Sequence, residues 1–99
     1  PAAGTIHMAG SVDMQNYTAQ LTDPACYFDL DGVTLSYSYR YIHVAAGLRD
    51  SCASTASHGV GPGTYTVTFH AITDRAPMPG SPNVDLDAGE AHVFFIPDN

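Results

Sequence analysis

The residues best equipped for chemistry are ten carboxylates, nine of them aspartate, and five histidines. Two aspartate pairs, Asp29 with Asp31 and Asp85 with Asp87, have members two residues apart, so each pair shares a face wherever the backbone is extended; Glu90 follows the second pair. Hard carboxylate oxygens held at sheet ends suit Ca²⁺, and these four aspartates are the candidate metal ligands, with calcium the one cofactor the residues suggest. The spacing is not that of an EF-hand, since Asp29-Leu30-Asp31-Gly32 has no third ligand ahead of its glycine and no glutamate in register. Held across a sugar cleft, the same acids would form a glycosidase pair.

Imidazoles at His7, His43, His58, His70 and His92 are zinc or copper ligands in type, yet no two stand at His-x-His or His-x-x-x-His spacing. His70 and His92 fall in two strands expected to pair, which would make half a site for His7 or His43 to complete. Ser54-Thr55-Ala56-Ser57-His58 sets hydroxyls beside a histidine in an expected loop. Sequence neighbours rarely meet in triad geometry, and no strand-Gly-x-Ser-x-Gly-helix context surrounds them. No residue is assigned a catalytic role; a small hydrolase or metal-dependent enzyme requires Asp and His side chains to converge through the fold.

Recognition fits the remaining residues better. Tyr37, Tyr39 and Tyr41 recur at every second position, with Tyr27 and Tyr65 as possible neighbours, and each phenol needs water or a partner for its hydroxyl. Rings facing inward would fill the space between sheets; rings facing outward would form a platform for peptide or sugar. A second surface is the segment 74–83, where Pro77 and Pro79 flank Met78, Pro82 follows, and Arg75 offers a charged anchor. The expected function is non-covalent binding of a protein or carbohydrate partner, with a structural assembly domain as a further alternative marked by an exposed edge strand or apolar patch.

These side chains must be positioned by strands. Thr34 to Tyr41 alternates small polar with large apolar residues and reads as the clearest strand, placing Leu35, Tyr37, Tyr39 and Tyr41 on one face. Tyr65 to Ala71 repeats the pattern after the Gly61-Pro62-Gly63 turn, and Ala91 to Ile96 forms a last strand closed by Pro97. Thr5 to Ala9 and Val12 to Tyr17 read as two strands or as one bent at Gly10. Cys26 to Leu30 leads through Asp31-Gly32 into a hairpin that runs to Tyr41. The segment 44–52 contains Gly47 and is too short for a helix that stands alone. The expected fold is all-β, a small Greek-key β-sandwich of six or seven strands in one domain spanning residues 1–99.

Cys26 and Cys52 would close a loop of 26 residues, and opening it would release about 3.5 kcal/mol of chain entropy. Two buried free thiols are the alternative packing. The bridge is the expectation, because the chain begins at Pro1 without methionine, as a processed extracellular, periplasmic or cell-surface protein would. No apolar run is long enough to span a membrane as a helix. The chain has no lysine, and a net charge of −7 with three arginines argues against nucleic-acid binding, which needs a basic stripe to neutralise phosphates.

Gly61-Pro62-Gly63-Thr64-Tyr65-Thr66-Val67-Thr68, followed after a loop by Leu86-Asp87-Ala88-Gly89-Glu90-Ala91 and a terminal apolar strand, resembles the closing hairpin of secreted bacterial immunoglobulin-like and transthyretin-like modules. The resemblance covers about the last third of the chain, implies the sandwich fold and carries over no functional residue. The antibody-type core is not implied, since there is no tryptophan and only 25 residues separate the cysteines.

Overall fold

A computed structural model describes residues 3–17, 21–72 and 84–98, with the side chains of 84–87 excluded. These residues build an all-β sandwich of two sheets. Strand β1 (Gly4–Asn16) lies at the centre of one sheet, flanked antiparallel by β5 (Arg49–Val60) and β7 (Val84–Pro97). Strand β2 (Ala25–Leu30) centres the other, with β6 (Val67–Ile72) on one side and the short β3 (Val33–Thr34) and β4 (Arg40–Tyr41) in succession on the other. Followed around the two sheets, β6 returns beside β2 and not beside β5, a Greek-key connection.

The core follows the alternation of β1. Ile6, Met8, Val12 and Met14 face inward and are buried, and on β2 Cys26, Phe28 and Leu30 do the same. Gly10 breaks the apolar series for a reason of space: a Cβ there would meet three ring carbons of Phe69 at 3.0 Å, so the ring of β6 lies directly on the β1 backbone. Phe69 thereby joins the two halves of the core, one around Phe28, Met8 and Leu35 and the other around Met14, Val12 and the cysteines. Cys26 of β2 and Cys52 of β5 are bridged and fully buried, a staple from one sheet to the other.

Three expectations are corrected. The strand expected over Thr34–Tyr41 is interrupted: between Asp29↔Thr34 and Cys26↔Arg40, three steps along β2 are matched by six along the edge, so three residues are in excess. They loop out through a 3-10 turn at Ser36–Ser38. The reason is a side chain that replaces a backbone partner. Buried Ser38 accepts the Phe28 N–H at its Oγ (2.9 Å) and donates to the Leu35 carbonyl (2.6 Å), while Ser54 Oγ donates to the Ser38 carbonyl. Ser54 to His58, expected as a loop, lies within β5. Its inward residues Cys52, Ser54 and Ala56 are buried although hydropathy does not alternate, because the fold gives each its place: Cys52 is bridged to Cys26, Ser54 bonds the Ser38 carbonyl, and Ala56 joins the core around Phe28. The last two strands do not close as a hairpin: β6 and β7 belong to different sheets.

Two outcomes follow. Replacing both Cys26 and Cys52 by alanine should lower the unfolding free energy by about 3.5 kcal/mol on the loop-closure estimate, read from urea unfolding. Ser38→Ala leaves the buried Phe28 N–H without its partner and should cost about 1–3 kcal/mol, with faster exchange of that amide as the local signature.

Candidate functional site

Tyr27 and Asp29 of β2 face away from the core, and around Tyr27 that outer face gathers a row of tyrosine and histidine rings. Tyr27 pairs across the ladder with His70 of β6, their rings stacked at 4.8 Å and 10°. On the other side Tyr39 stacks on Tyr27 at 5.1 Å and 15°, and Tyr41 leans against Tyr39 at 6.4 Å and 59°. The bulge at Ser36–Ser38 is what brings Tyr39 and Tyr41 into this row, since it shifts the edge by an odd number of residues and so exchanges its faces. Arg40 secures the turn by donating to the carbonyls of Tyr37 and Tyr39, each at 2.9 Å.

Asp29 ends the row. One carboxylate oxygen accepts from Thr34 Oγ1 (3.0 Å) and the other meets His70 Nε2 (2.7 Å), which holds the imidazole flat against Tyr27. The result is a continuous ribbon, Tyr41–Tyr39–Tyr27–His70–Asp29, across the sheet. The stacked rings stand side by side, so their faces are largely turned to one another, and Tyr41, at the end of the row, is 59 % exposed.

Tyr37 is separated from its two sequence partners. Its ring stacks on His58 of β5 and its hydroxyl is 2.7 Å from His58 Nδ1. Desolvation by the surrounding chain raises the phenol above its ordinary value of 10.0, so it stays protonated across the physiological range.

The acids expected to hold calcium divide. Asp29 is committed to Thr34 and His70. Asp31 occupies the left-handed region at φ 50°, and its carboxylate accepts the Thr66 N–H at 2.7 Å while its own N–H donates to the Thr66 carbonyl, so it builds the β2–β3 turn and fastens the entry to β6. Asp85 and Asp87 lie on β7 with side chains outside the described residues; the backbone register against β1 shifts beside them, from Asp13↔Ala88 to Met14↔Leu86. Arg75 and Met78 also lie outside the described residues. Among the described residues no group of three or more His, Cys, Asp or Glu side chains converges. His70 and His92 do not form the expected half-site, because β6 and β7 lie in different sheets.

Ser57 and His58, neighbours in sequence, do not pair with each other. Ser57 Oγ lies 2.8 Å from Nδ1 of His7, its neighbour across the β1–β5 ladder, and Phe94 stacks on that imidazole at 5.0 Å. No carboxylate among the described residues bonds the other ring nitrogen, and the pair sits on an open sheet face.

Sequence reasoning missed His70 as a member of the tyrosine row; the available signal was that β2 and β6 both alternate, with Tyr27 and His70 on their polar faces. It also missed the exposure of Val93 to Ile96 on β7, which read as an ordinary apolar strand. No protein-family model, curated protein or solved structure matches the chain.

The raised Tyr37 phenol sets a sign for alkaline stability. Because the folded group holds its proton to higher pH than the unfolded one, its contribution is complete below about pH 10 and is lost as pH rises through the folded value. Tyr37→Phe should therefore make the fall in urea midpoint above about pH 10 shallower than in the wild type.

Proposed function

We propose that this chain is a recognition domain that binds a protein partner non-covalently through the Tyr41–Tyr39–Tyr27–His70 ribbon. The single observation that carries the reading is the stacked row itself, locked at one end by Asp29 and Thr34 and carried on a sheet stapled to its neighbour. Preset aromatic side chains bury large area at low entropic cost, which is why tyrosines dominate many binding surfaces.

Ring orientation favours protein over carbohydrate. Sugars pack on exposed ring faces, whereas here Tyr27, Tyr39 and His70 use their faces on each other and direct edges and polar atoms outward. Such edges suit the mixed main-chain and side-chain chemistry of a polypeptide. The buried disulfide fits an oxidising location, extracellular, periplasmic or on a cell surface, and the two-sheet Greek key fits a secreted immunoglobulin-like module. An assembly role is the second reading, favoured by the exposed apolar edge of β7.

The test is selection of a displayed peptide library on the intact, oxidised chain. Enriched peptides should perturb the Tyr27, Tyr39, Tyr41 and His70 resonances and bind Tyr39→Ser about 30-fold more weakly, the scale of an aromatic hot spot. Peptides that bind wild type and Tyr39→Ser equally would refute the ribbon as the site, and a glycan-array signal lost in Tyr39→Ser would reassign the partner to carbohydrate.

A further inference from the structure

We propose that the free edge of β7 is a self-association surface, where a second copy of this chain adds its own β7 antiparallel to make one continuous six-stranded sheet. The surface is distinct from the aromatic ribbon, which lies on the other sheet.

Val93, Phe94, Phe95 and Ile96 are four consecutive apolar residues, all 43–57 % exposed. Their register with β1 places Val93 and Phe95 opposite Met8 and Ile6, on the core side, and Phe94 and Ile96 opposite His7 and Thr5, on the outer side. An ordinary edge strand hides one of these faces; on β7 both stay about half open, although Phe94 stacks on His7 and the Phe95 ring lies against Gly4. The core side is open because β2 packs over β5 and β1 and the Phe69 ring of β6 sits over Gly10 of β1, so the second sheet approaches β7 only loosely. A cleft of about 410 Å³ remains where Val93 and Phe95 approach Ile6, Val60, Tyr65 and Val67.

The edge also lacks the devices that keep exposed strands apart. From Ala88 to Ile96 there is no proline and no lysine, and the one acid, Glu90, lies 3.5 Å from His92. The bulge comes earlier, beside Asp87. By contrast, the outer flank of β5 is attended by β4 and the 3-10 turn.

The occupant is argued from length, charge and area. β7 runs for 14 residues, far beyond the usual five or six, and a strand of equal length with a free edge and the same apolar run is β7 of another copy. The chain as a whole repels its copies at net charge −7, yet Ala91 to Pro97 contains no carboxylate, so repulsion is least along this stretch. A two-fold axis at Phe94, normal to the sheet, sets Phe94 against its counterpart on the outer face and Val93 against the other copy's Phe95 on the core face, an isologous contact that closes. The half-exposed side chains supply roughly 400 Å² from each copy, and with the main-chain edge the total comes to about 1,000 Å², the lower bound for a specific interface. Association in the micromolar range is the expected strength.

Sedimentation velocity on the oxidised chain between about 1 and 300 µM should show a monomer–dimer equilibrium, weakened at least about 30-fold in Phe94→Asp and unchanged in Tyr39→Ser. Phe94 is exposed, so the variant should retain the wild-type circular dichroism spectrum. As a second readout, Phe94→Cys should form a covalent dimer under mild oxidation while Tyr41→Cys does not, since paired residues at the axis lie within disulfide reach. A chain monomeric throughout that range, a dimer indifferent to Phe94→Asp, or Phe94→Cys cross-linking no better than Tyr41→Cys would each overturn the proposal.

Discussion

The Cys26–Cys52 bond decides where one sheet sits on the other. It anchors β2 above β5, and because β6 is the neighbour of β2, β6 comes to rest above β1, with Phe69 seated on Gly10. With the second sheet anchored there, its strands pack on β5 and β1 and only loosely approach β7, where Val67 shares a cleft with Val93 and Phe95. The buried core and the half-open strand are thus two consequences of one placement. The radius of gyration, 15.7 Å against about 13 Å for a compact chain of this length, reflects the long first sheet and the partial cover it receives.

A second constraint acts on the edge of β2. A hairpin continued in register would leave no excess residues between Thr34 and Tyr41; the Ser38 hydroxyl instead takes the place of a ladder carbonyl and lets three residues leave the strand. Tyr37 is thereby sent toward His58, while Tyr39 and Tyr41 turn outward to Tyr27. The binding face depends on a hydrogen bond made on the opposite, buried side of the same edge.

The two proposed surfaces have different physical origins. The aromatic ribbon is a set of polar-edged rings fixed by one another and by Asp29, which suits recognition with little reorganisation. The β7 edge presents unspent main-chain pairing and apolar area together, which suits assembly. They lie on different sheets, so one copy can engage through both.

Alternation in β1, β2 and β6 and the turns at Asp31-Gly32 and Gly61-Pro62-Gly63 were enough to define an all-β sandwich, because period-two burial and turn chemistry are local properties, while the two cysteines raised the bridge as an expectation that the fold then closed. The same locality explains the errors. Thr34 to Tyr41 alternates as well as any strand here, and nothing within it reveals that Ser38 will be drawn to Phe28, a residue ten positions earlier. Ser54 to His58 lacks alternation in hydropathy, and its burial pattern exists only because β1 and the bulge enclose it. Asp29 and Asp31 look alike in sequence, yet His70 claims one and the Thr66 amide the other, since carboxylates take the nearest available donors once the strands meet. The amino-acid sequence by itself determined the all-β class, the places of β1, β2, β6 and β7, the tyrosine content and the apolar run at Val93 to Ile96. Only the tertiary structure decided which rings share a face and that β7 is left half open, because both depend on how far one sheet extends over the other.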